Sequence, residues 1–222
     1  MWCVAELDAE YIARMEDGLA VYEKPVDPRE PVVCLDEKPV SLHADVRPAR
    51  PAHLAQRDSE YQRCGTANIF AVVEPKAGRH FTRATPDRSG AAFAQVIRHL
   101  VAPYPAARTI HVVMDNLNTH GATSLITQFG QRHGRALWRR LTVHYTPKHG
   151  SWLNQAEIEL SLVARQCLGT RRMPHFGVLQ TETRAWNARA NRLKTRIRWA
   201  FTRKDARRKF GYQTNVSKRS ET

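Results

Sequence analysis

The chain has 222 residues, enough to bury a core of its own, and its net charge of +14 with a pI of about 10.2 favours a polyanionic partner, most simply nucleic acid. No apolar stretch approaches the roughly 20 residues that a membrane-spanning helix needs, and the acidic N-terminus does not have the pattern of a signal peptide. The four cysteines form no C-x-x-C pair, which excludes a zinc knuckle or redox motif of that kind and is typical of a reducing cytoplasm.

The N-terminal part of the chain predicts one helix and a linker. Leu7, Tyr11 and Met15 recur at helical spacing and predict a short helix over residues 5–22. Residues 23–31 are charged and rich in proline, which indicates a linker rather than a further element.

The next part predicts strands and a long loop. The apolar run at 32–37 predicts the first strand, which is followed over 39–64 by prolines and polar residues that predict a long irregular excursion with a short strand near 40–43. Two further strands are predicted at 67–75 and 79–85, and the glycine-containing loop between them indicates an antiparallel hairpin.

After the hairpin, helices and strands alternate, which predicts parallel strands in an α/β layer structure. Periodicity and turn residues predict, in order, a helix over 85–101 with Thr85 as its N-cap, a strand over 109–116, a helix over 122–133, a strand over 140–147 and a helix over 149–169. Five strands in this order resemble the ribonuclease-H-like fold, a mixed sheet flanked by helices.

Positive charge is concentrated at the C-terminal end. Residues 1–162 hold 19 Lys and Arg against 18 Asp and Glu, whereas residues 163–222 hold 16 against 3. An amphipathic basic helix is predicted over 179–201, followed by a further helix over 203–212. We interpret this basic helical extension as a surface that grips nucleic-acid backbone, although a solvated helix without a partner would have the same composition.

Three carboxylates are predicted to converge at the ends of elements. Asp36 ends the first strand and Asp115 ends the fourth, and ligands gather at the carboxyl ends of strands in such sheets. In the last core helix, Glu157 falls close to the apolar stripe and is predicted to face the apolar layer, whereas Glu159 is predicted to face solvent. Three acids without basic partners require a cation, and oxygen ligands suit Mg²⁺ or Mn²⁺. We expect the acids to bind two such ions, which act together on a phosphodiester.

Each acid also has a purely structural interpretation. Asp36 could pair with Lys38 or open a turn. Asp115 could cap the turn before the next helix, and Glu157 could pair with Lys148 or with a buried arginine. It is the joint placement beside a basic extension that favours the metal site.

Polar and basic residues near the acids are candidates for contact with phosphate. His120 could orient a scissile phosphate, or it could hydrogen-bond a loop carbonyl. The predicted DNA-binding residues, in the core and in the extension, are Asn116, His120, His144, Lys148, His149, Arg171, Arg172, Arg192, Arg196, Arg203 and Lys204.

Three stretches carry a resemblance to a known family: CLDEKP at 34–39, VVMDNLNTH at 112–120 and HYTPKHGSWLNQAEIE at 144–159. They resemble the catalytic motifs of DDE transposases of the mariner-like superfamily, in its bacterial insertion-sequence branch. The third stretch keeps the proline, leucine, asparagine and glutamate of the family pattern, with Gln155 where that pattern has proline.

The resemblance implies that Asp36, Asp115 and Glu157 are catalytic and bind divalent ions. The implied activity is cleavage of DNA at an insertion-sequence end, followed by attack of the freed 3′-hydroxyl on target DNA. A homodimer that holds two ends in the bacterial cytoplasm, in association with the nucleoid, is also implied.

The resemblance further implies a division of the chain. Residues 1–30 would be a helix and linker remnant, 31–168 the catalytic core and 169–222 the basic extension. Because such transposases resemble two-part chains with N-terminal helix-turn-helix domains, we expect the catalytic half alone here, with a separately encoded helix-turn-helix protein as a candidate partner. A truncated, non-catalytic DNA-binding remnant and another ribonuclease-H-like nuclease are the alternatives.

Overall fold

A computed structural model of the chain describes residues 7–47 and 59–213. Predicted features at 5–6, within 48–58 and in the tail from 214 lie outside the described residues. The described strands form a mixed sheet in the order β3-β2-β1-β5-β6, with β4 beside β3 on β2. These strands are β1 (Val32–Asp45), β2 (Tyr61–Glu74), β3 (Arg79–His80), β4 (Arg83–Thr85), β5 (Ile110–Met114) and β6 (Leu141–Tyr145).

The direction of each strand follows from its connection. β1 and β2 form an antiparallel hairpin, and β3 and β4 pair antiparallel with β2. β5 lies parallel to β1, and β6 lies parallel to β5, because helices connect them. The carboxyl ends of β1, β5 and β6 therefore point to the same edge of the sheet.

The hairpin of β1 and β2 is longer than predicted. The long excursion expected over 39–64 is wrong for its described ends, because residues 40–45 continue β1 and residues 61–64 begin β2. β1 pairs with β5 only from Val32 to Cys34, so among the described strands its later part has no partner on that side. Pro39, which donates no backbone hydrogen bond, is tolerated at such a position.

Helices cover both faces of the sheet. Alternate residues of β1 separate the two layers, since Cys34 packs in one cluster and Leu35 in the other. The Leu35 side is covered by α2 and α3, and the Cys34 side by α1, α4 and α5. The described helices are α1 (Ala9–Glu23), α2 (Gly90–Val101), α3 (Ala122–Trp138), α4 (Ala156–Val163), α5 (Phe176–Leu193) and α6 (Arg203–Phe210).

Several predicted helix ends are displaced. Ser89, rather than Thr85, is the N-cap of α2, because its side chain accepts from the backbone of Ala92 while Thr85 ends β4. The single helix predicted over 149–169 divides into a 3₁₀ turn, α4 and a π-helical turn at Ala164–Leu168. α5 ends at Leu193 instead of near 201. Lys194, which follows it directly, has a left-handed φ of 48°.

The C-terminal segment packs back on α1. Ile197 and Ala206 are buried in the same cluster as α1. Arg203 pairs with Glu23 at 2.7 Å, and Arg207 pairs with Glu16 at 2.7 Å. Part of the basic charge is therefore neutralised by α1.

None of the described helices is long and apolar enough to cross a bilayer.

The close packing within α3 gives a testable prediction. Gly130, at φ 79°, breaks the helix, and the second half folds against the first at Gly134. A Cβ atom at Gly134 would lie 2.6 Å from the Cα atom of Ile126. We expect Gly134→Ala to lower the free energy of unfolding by about 1–3 kcal/mol, measured by urea unfolding.

Gly18 supplies the matched control for this prediction. It lies inside α1 with open space at its Cβ position, so Gly18→Ala should leave stability unchanged or raise it by about 0.5–1 kcal/mol. Equal stability of the two variants would contradict the packing explanation.

Candidate active site

A cleft of about 930 Å³ opens where the pairing of β1 with β5 ends and α4 begins. The three predicted acids, Asp36, Asp115 and Glu157, all line it. Asp36 does not end the first strand as predicted, because β1 continues to Asp45; it lies just past the residues of β1 that pair with β5. The remaining lining residues come from α1, the loop after β5 and the loop after β6; they are Asp8, Glu10, Tyr11, Arg14, Asn116, Leu117, Thr146, Pro147, Lys148, His149, Ser151 and Asn154.

Asp36 is the acid whose titration is most disturbed. The pKa of Asp36 is raised to about 7, chiefly by burial and also by the charges of Glu157, Glu37 and Asp115, against a hydrogen bond from the Glu37 backbone that lowers it. Within the described part of the chain, no Lys or Arg forms an ion pair with Asp36. The predicted pairing with Lys38 is therefore not formed.

Asp115 is held from the side by an imidazole. His120 Nδ1 lies 2.6 Å from Asp115 Oδ1, and His120 Nε2 lies 3.4 Å from Glu37 Oε2. The ring of His120 is buried and stacks on Phe93 with 4.7 Å between centroids. Burial lowers the pKa of His120, but Asp115 and Glu37 outweigh that effect and the net shift is upward. His120 thus contacts two carboxylates, and it also interacts with the backbone of Asp115 in the loop after β5.

Sequence reasoning missed Glu37. Its side chain is only 4 % exposed, and Glu37 Oε2 has no hydrogen-bond partner. Asp36 faces the cleft beside α4, whereas Glu37 shares the face of Leu35 and meets His120 beneath α2. The alternation of side chains along a strand was the available signal, because it places consecutive acids on opposite faces.

The predicted burial of the two glutamates of α4 is wrong. Glu157 is exposed and lines the cleft, whereas Glu159 is fully buried at 0 % exposure. Glu159 accepts from Thr82 Oγ1 at 2.9 Å and lies 2.9 Å from His80 Nδ1. Glu159 therefore pairs with the buried His80 and not with solvent.

Backbone contacts fix the start of α4 against β1. Asn154 Nδ2 donates to the carbonyl oxygen of Leu35 at 2.8 Å, and Asn154 Oδ1 accepts from the backbone of Ala156 at 3.1 Å. The hydroxyl of Tyr22 donates to the carbonyl oxygen of Leu153 at 2.8 Å. These contacts hold the first turn of α4, and with it Glu157, beside Asp36.

The predicted phosphate contacts in the core separate into two groups. Asn116, Lys148 and His149 line the cleft with the acids. His144 does not flank the approach to Glu157 as predicted, because it is buried and its Nδ1 lies 2.7 Å from Asp17 Oδ2 on α1.

The phosphate-binding residues predicted in the C-terminal extension also form two groups, one exposed to solvent and one in ion pairs within the protein. Arg192, Arg196 and Lys204 are exposed. The others are engaged with the protein itself: Arg171 pairs with Glu182, Arg172 with Asp45 and Arg203 with Glu23.

The oxygen atoms of the cleft suit a hard divalent cation. Among the described residues, Glu37, Asp115 and His120 offer ligand atoms within 4.8 Å of one another, whereas Asp36, Asp115 and Glu157 are not all that close. A wider spacing suits two ions, which lie about 4 Å apart in two-metal sites. No described Lys or Arg pairs with Asp36, Asp115 or Glu157, so the repulsion that raises the pKa of Asp36 has no protein cation to relieve it. The residues therefore fit Mg²⁺ or Mn²⁺.

Several solved structures with a similar fold are complexes of the Mos1 mariner transposase. The Mos1 mariner paired-end complex with Mn has a TM-score of 0.54 and 16 % identity, over 85 % of this chain and 58 % of that chain. The Mos1 transposase paired-end complex with left transposon end has a TM-score of 0.54 and 16 % identity, over 85 % of this chain and 57 % of that chain. The Mos1 strand transfer complex has a TM-score of 0.54 and 15 % identity, over 85 % of this chain and 57 % of that chain.

This likeness confirms the predicted ribonuclease-H-like α/β fold. The chain spans less than two thirds of the length of the Mos1 chains. No curated protein sequence matches the chain.

The family comparison covers the cleft. A sequence profile described as DDE superfamily endonuclease matches residues 31–180, about two thirds of the chain, and that range contains the three acids of the cleft. The chain belongs to the DDE superfamily of endonucleases.

Proposed function

We propose that the chain is the catalytic part of a transposase that cleaves DNA at the ends of an insertion sequence and joins them to target DNA, with divalent cations. The observation that carries the proposal is the cleft in which Asp36, Asp115 and Glu157 meet without a neutralising Lys or Arg among the described residues. Membership of the DDE endonuclease family supports the reaction class.

The partners proposed for the chain follow from its structural neighbours. Mos1 has been solved with transposon ends, with Mn and with Mg. We propose transposon-end and target DNA as the partners of this chain, a homodimer that holds two ends, and a separately encoded helix-turn-helix protein that recognises the end sequence. The bacterial insertion-sequence branch and association with the nucleoid belong to the same proposal.

The residues of the cleft have separate roles in the proposed reaction. Asp36, Asp115 and Glu157 would hold Mg²⁺ or Mn²⁺, which when bound would stabilise negative charge at the reacting phosphodiester. His120 fixes the carboxylate of Asp115 through the 2.6 Å contact. Lys148 and His149 provide cationic or hydrogen-bonding groups on the wall of the cleft, where they would orient the phosphate of the bound strand.

Cation binding gives the first test. A ligand that binds only the folded state raises the melting temperature, and at 100 times its Kd it adds about 2.7 kcal/mol. We expect Mn²⁺ to raise the Tm of the full chain in a thermal unfolding experiment, and Asp115→Asn to remove most of that shift. An equal shift in both proteins would contradict the assignment of the cleft.

DNA cleavage gives the second part of the same test. The purified chain should nick duplex DNA with Mn²⁺ and not with EDTA. Mn²⁺ binding without nicking, combined with salt-sensitive DNA binding, would instead favour a non-catalytic remnant. Hydrolysis restricted to RNA–DNA hybrids would favour another ribonuclease-H-like nuclease.

A further inference from the structure

A second groove, of about 310 Å³, lies beside β4, between α5 and the C-terminal end of α2. We name it the β4–α5 groove. None of the described residues that line it is Asp or Glu. Its polar lining is Thr82, Arg83, His99, Gln180, Thr183, Arg184 and Asn187.

The guanidinium groups around this groove lack anionic partners. Arg83 is partly buried and Arg184 is exposed, and neither forms an ion pair within the described ranges 7–47 and 59–213. Burial lowers the pKa of Arg83, and the nearby charges of Arg184 and Arg98 lower it further. Arg98 stacks on Phe129, 5.3 Å from the ring centroid, which holds this third cation in place. Like charges gathered in this way repel one another and raise the local concentration of anions.

The groove lies about two strand spacings from the part of β1 that carries Asp36. Phe70 of β2 is in register with Glu37 on one side and with Arg83 on the other. Strands in a sheet lie about 4.8 Å apart, so the backbones of Glu37 and Arg83 are roughly 10 Å apart. Arg88, exposed in the turn before α2, has a charge that acts on Glu37, the neighbour of Asp36 on β1.

We propose that the β4–α5 groove binds the phosphodiester backbone of the DNA duplex whose scissile strand occupies the cleft. The identity of this polymer rests on the proposed function. Arg83 and Arg184 contact phosphate, and the contact is independent of base sequence because the groove presents side-chain donors to an anionic backbone.

The salt dependence of DNA binding tests this contact. Each phosphate contact contributes about 0.9 to the slope of log K against log salt concentration. We expect the double variant Arg83→Gln, Arg184→Gln to lower that slope by about 2 and to weaken binding at low salt at least about tenfold. The measurement is fluorescence anisotropy of a labelled duplex with the full chain in EDTA, over a series of KCl concentrations.

A charge-matched control separates a local contact from a change in net charge. Arg29 and Arg139 are exposed and precede β1 and β6, at the edge of the sheet opposite the cleft. Arg29→Gln, Arg139→Gln should leave the slope within about 0.5 of the wild-type value. Equal slopes for the two double variants, or a wild-type chain that does not bind DNA, would overturn the proposal.

The binding experiment is separable from the catalytic one. An unchanged slope in the groove variant, with wild-type cleavage intact, removes the groove and leaves the proposed function standing. A reduced slope in the groove variant, with a wild-type chain that does not cleave DNA, supports the groove and contradicts the catalytic proposal.

Discussion

Replacing Asp36 with Asn should reduce divalent-cation-dependent DNA cleavage by at least about 10³-fold. Asp36 is the acid on which burial and the charges of Glu157, Glu37 and Asp115 all act, so it would gain most from a bound cation. An amide cannot neutralise that cation. Loss of several kcal/mol of transition-state stabilisation corresponds to this factor, because each 1.36 kcal/mol is tenfold in rate. The measurement is Mn²⁺-dependent nicking of a supercoiled plasmid.

Glu10 provides a control acid in the same cleft. It lies on α1, where it pairs with Arg14 at 2.6 Å, so Glu10→Gln removes one negative charge without touching the three acids. We expect its nicking rate to stay within a few-fold of wild type. Nicking by Asp36→Asn at the wild-type rate, or an equal loss in both variants, would contradict the assignment.

Thermal unfolding of Asp36→Asn at several pH values tests whether this variant is folded. The pKa of Asp36 rises from an ordinary value of 3.8 to about 7 on folding, chiefly because of burial. The folded chain therefore binds more protons than the unfolded chain between about pH 4 and 7, and its stability falls as the pH rises through that range. Asp36→Asn lacks this loss, so in EDTA above pH 7 its Tm should equal or exceed the wild-type Tm.

Replacing His80 with Ala should lower the free energy of unfolding by about 3–5 kcal/mol. The side chains of His80 and Glu159 are both 0 % exposed, and His80 Nδ1 lies 2.9 Å from Glu159 Oε1. Without the imidazole, the buried carboxylate keeps only its hydrogen bond from Thr82. For a chain of this size the expected fall in Tm is roughly 10 °C, measured by thermal and urea unfolding.

A double variant tests whether the cost comes from the unpaired charge. His80→Phe, Glu159→Leu removes both partners and fills the space with apolar side chains, which is often neutral or stabilising for a buried ion pair. It should recover most of the stability that His80→Ala loses. By comparison, Arg171→Ala breaks the exposed pair with Glu182 and should cost less than about 1 kcal/mol. A double variant as unstable as His80→Ala would refute the charge explanation.

Much of the sheet could be predicted because buried parallel strands have continuous apolar sequences. β5 is such a strand, and Asp115 follows it directly. The far part of the β1–β2 hairpin was predicted only as a separate short strand near 40–43, because Pro39 is normally excluded from a central strand. It is allowed here because β5 ends early and no other described strand pairs with that part of β1 on the same side, which no local pattern reveals.

The orientation of α4 could not be obtained from an apolar stripe. That prediction treated 149–169 as one helix, but Leu153 lies in the preceding 3₁₀ turn and α4 begins at Ala156. A helical projection also assigns carboxylates to solvent. Glu159 is buried because His80, distant in sequence, supplies the compensating charge. Partners of this kind become visible only when the chain has folded.

The opposite directions of Asp36 and Glu37 on β1 affect how this part of the sequence tolerates mutation. Conservative exchange of Val32 or Val33 changes only packing volume. Inserting or deleting a single codon just before Asp36 would instead turn its carboxylate toward His120 and the Glu37 carboxylate toward the other layer. The directions of Asp36 and Glu37 are therefore far more sensitive to the length of this strand than to the identity of its apolar side chains. Functional sequence variants should keep the number of residues before Asp36 fixed.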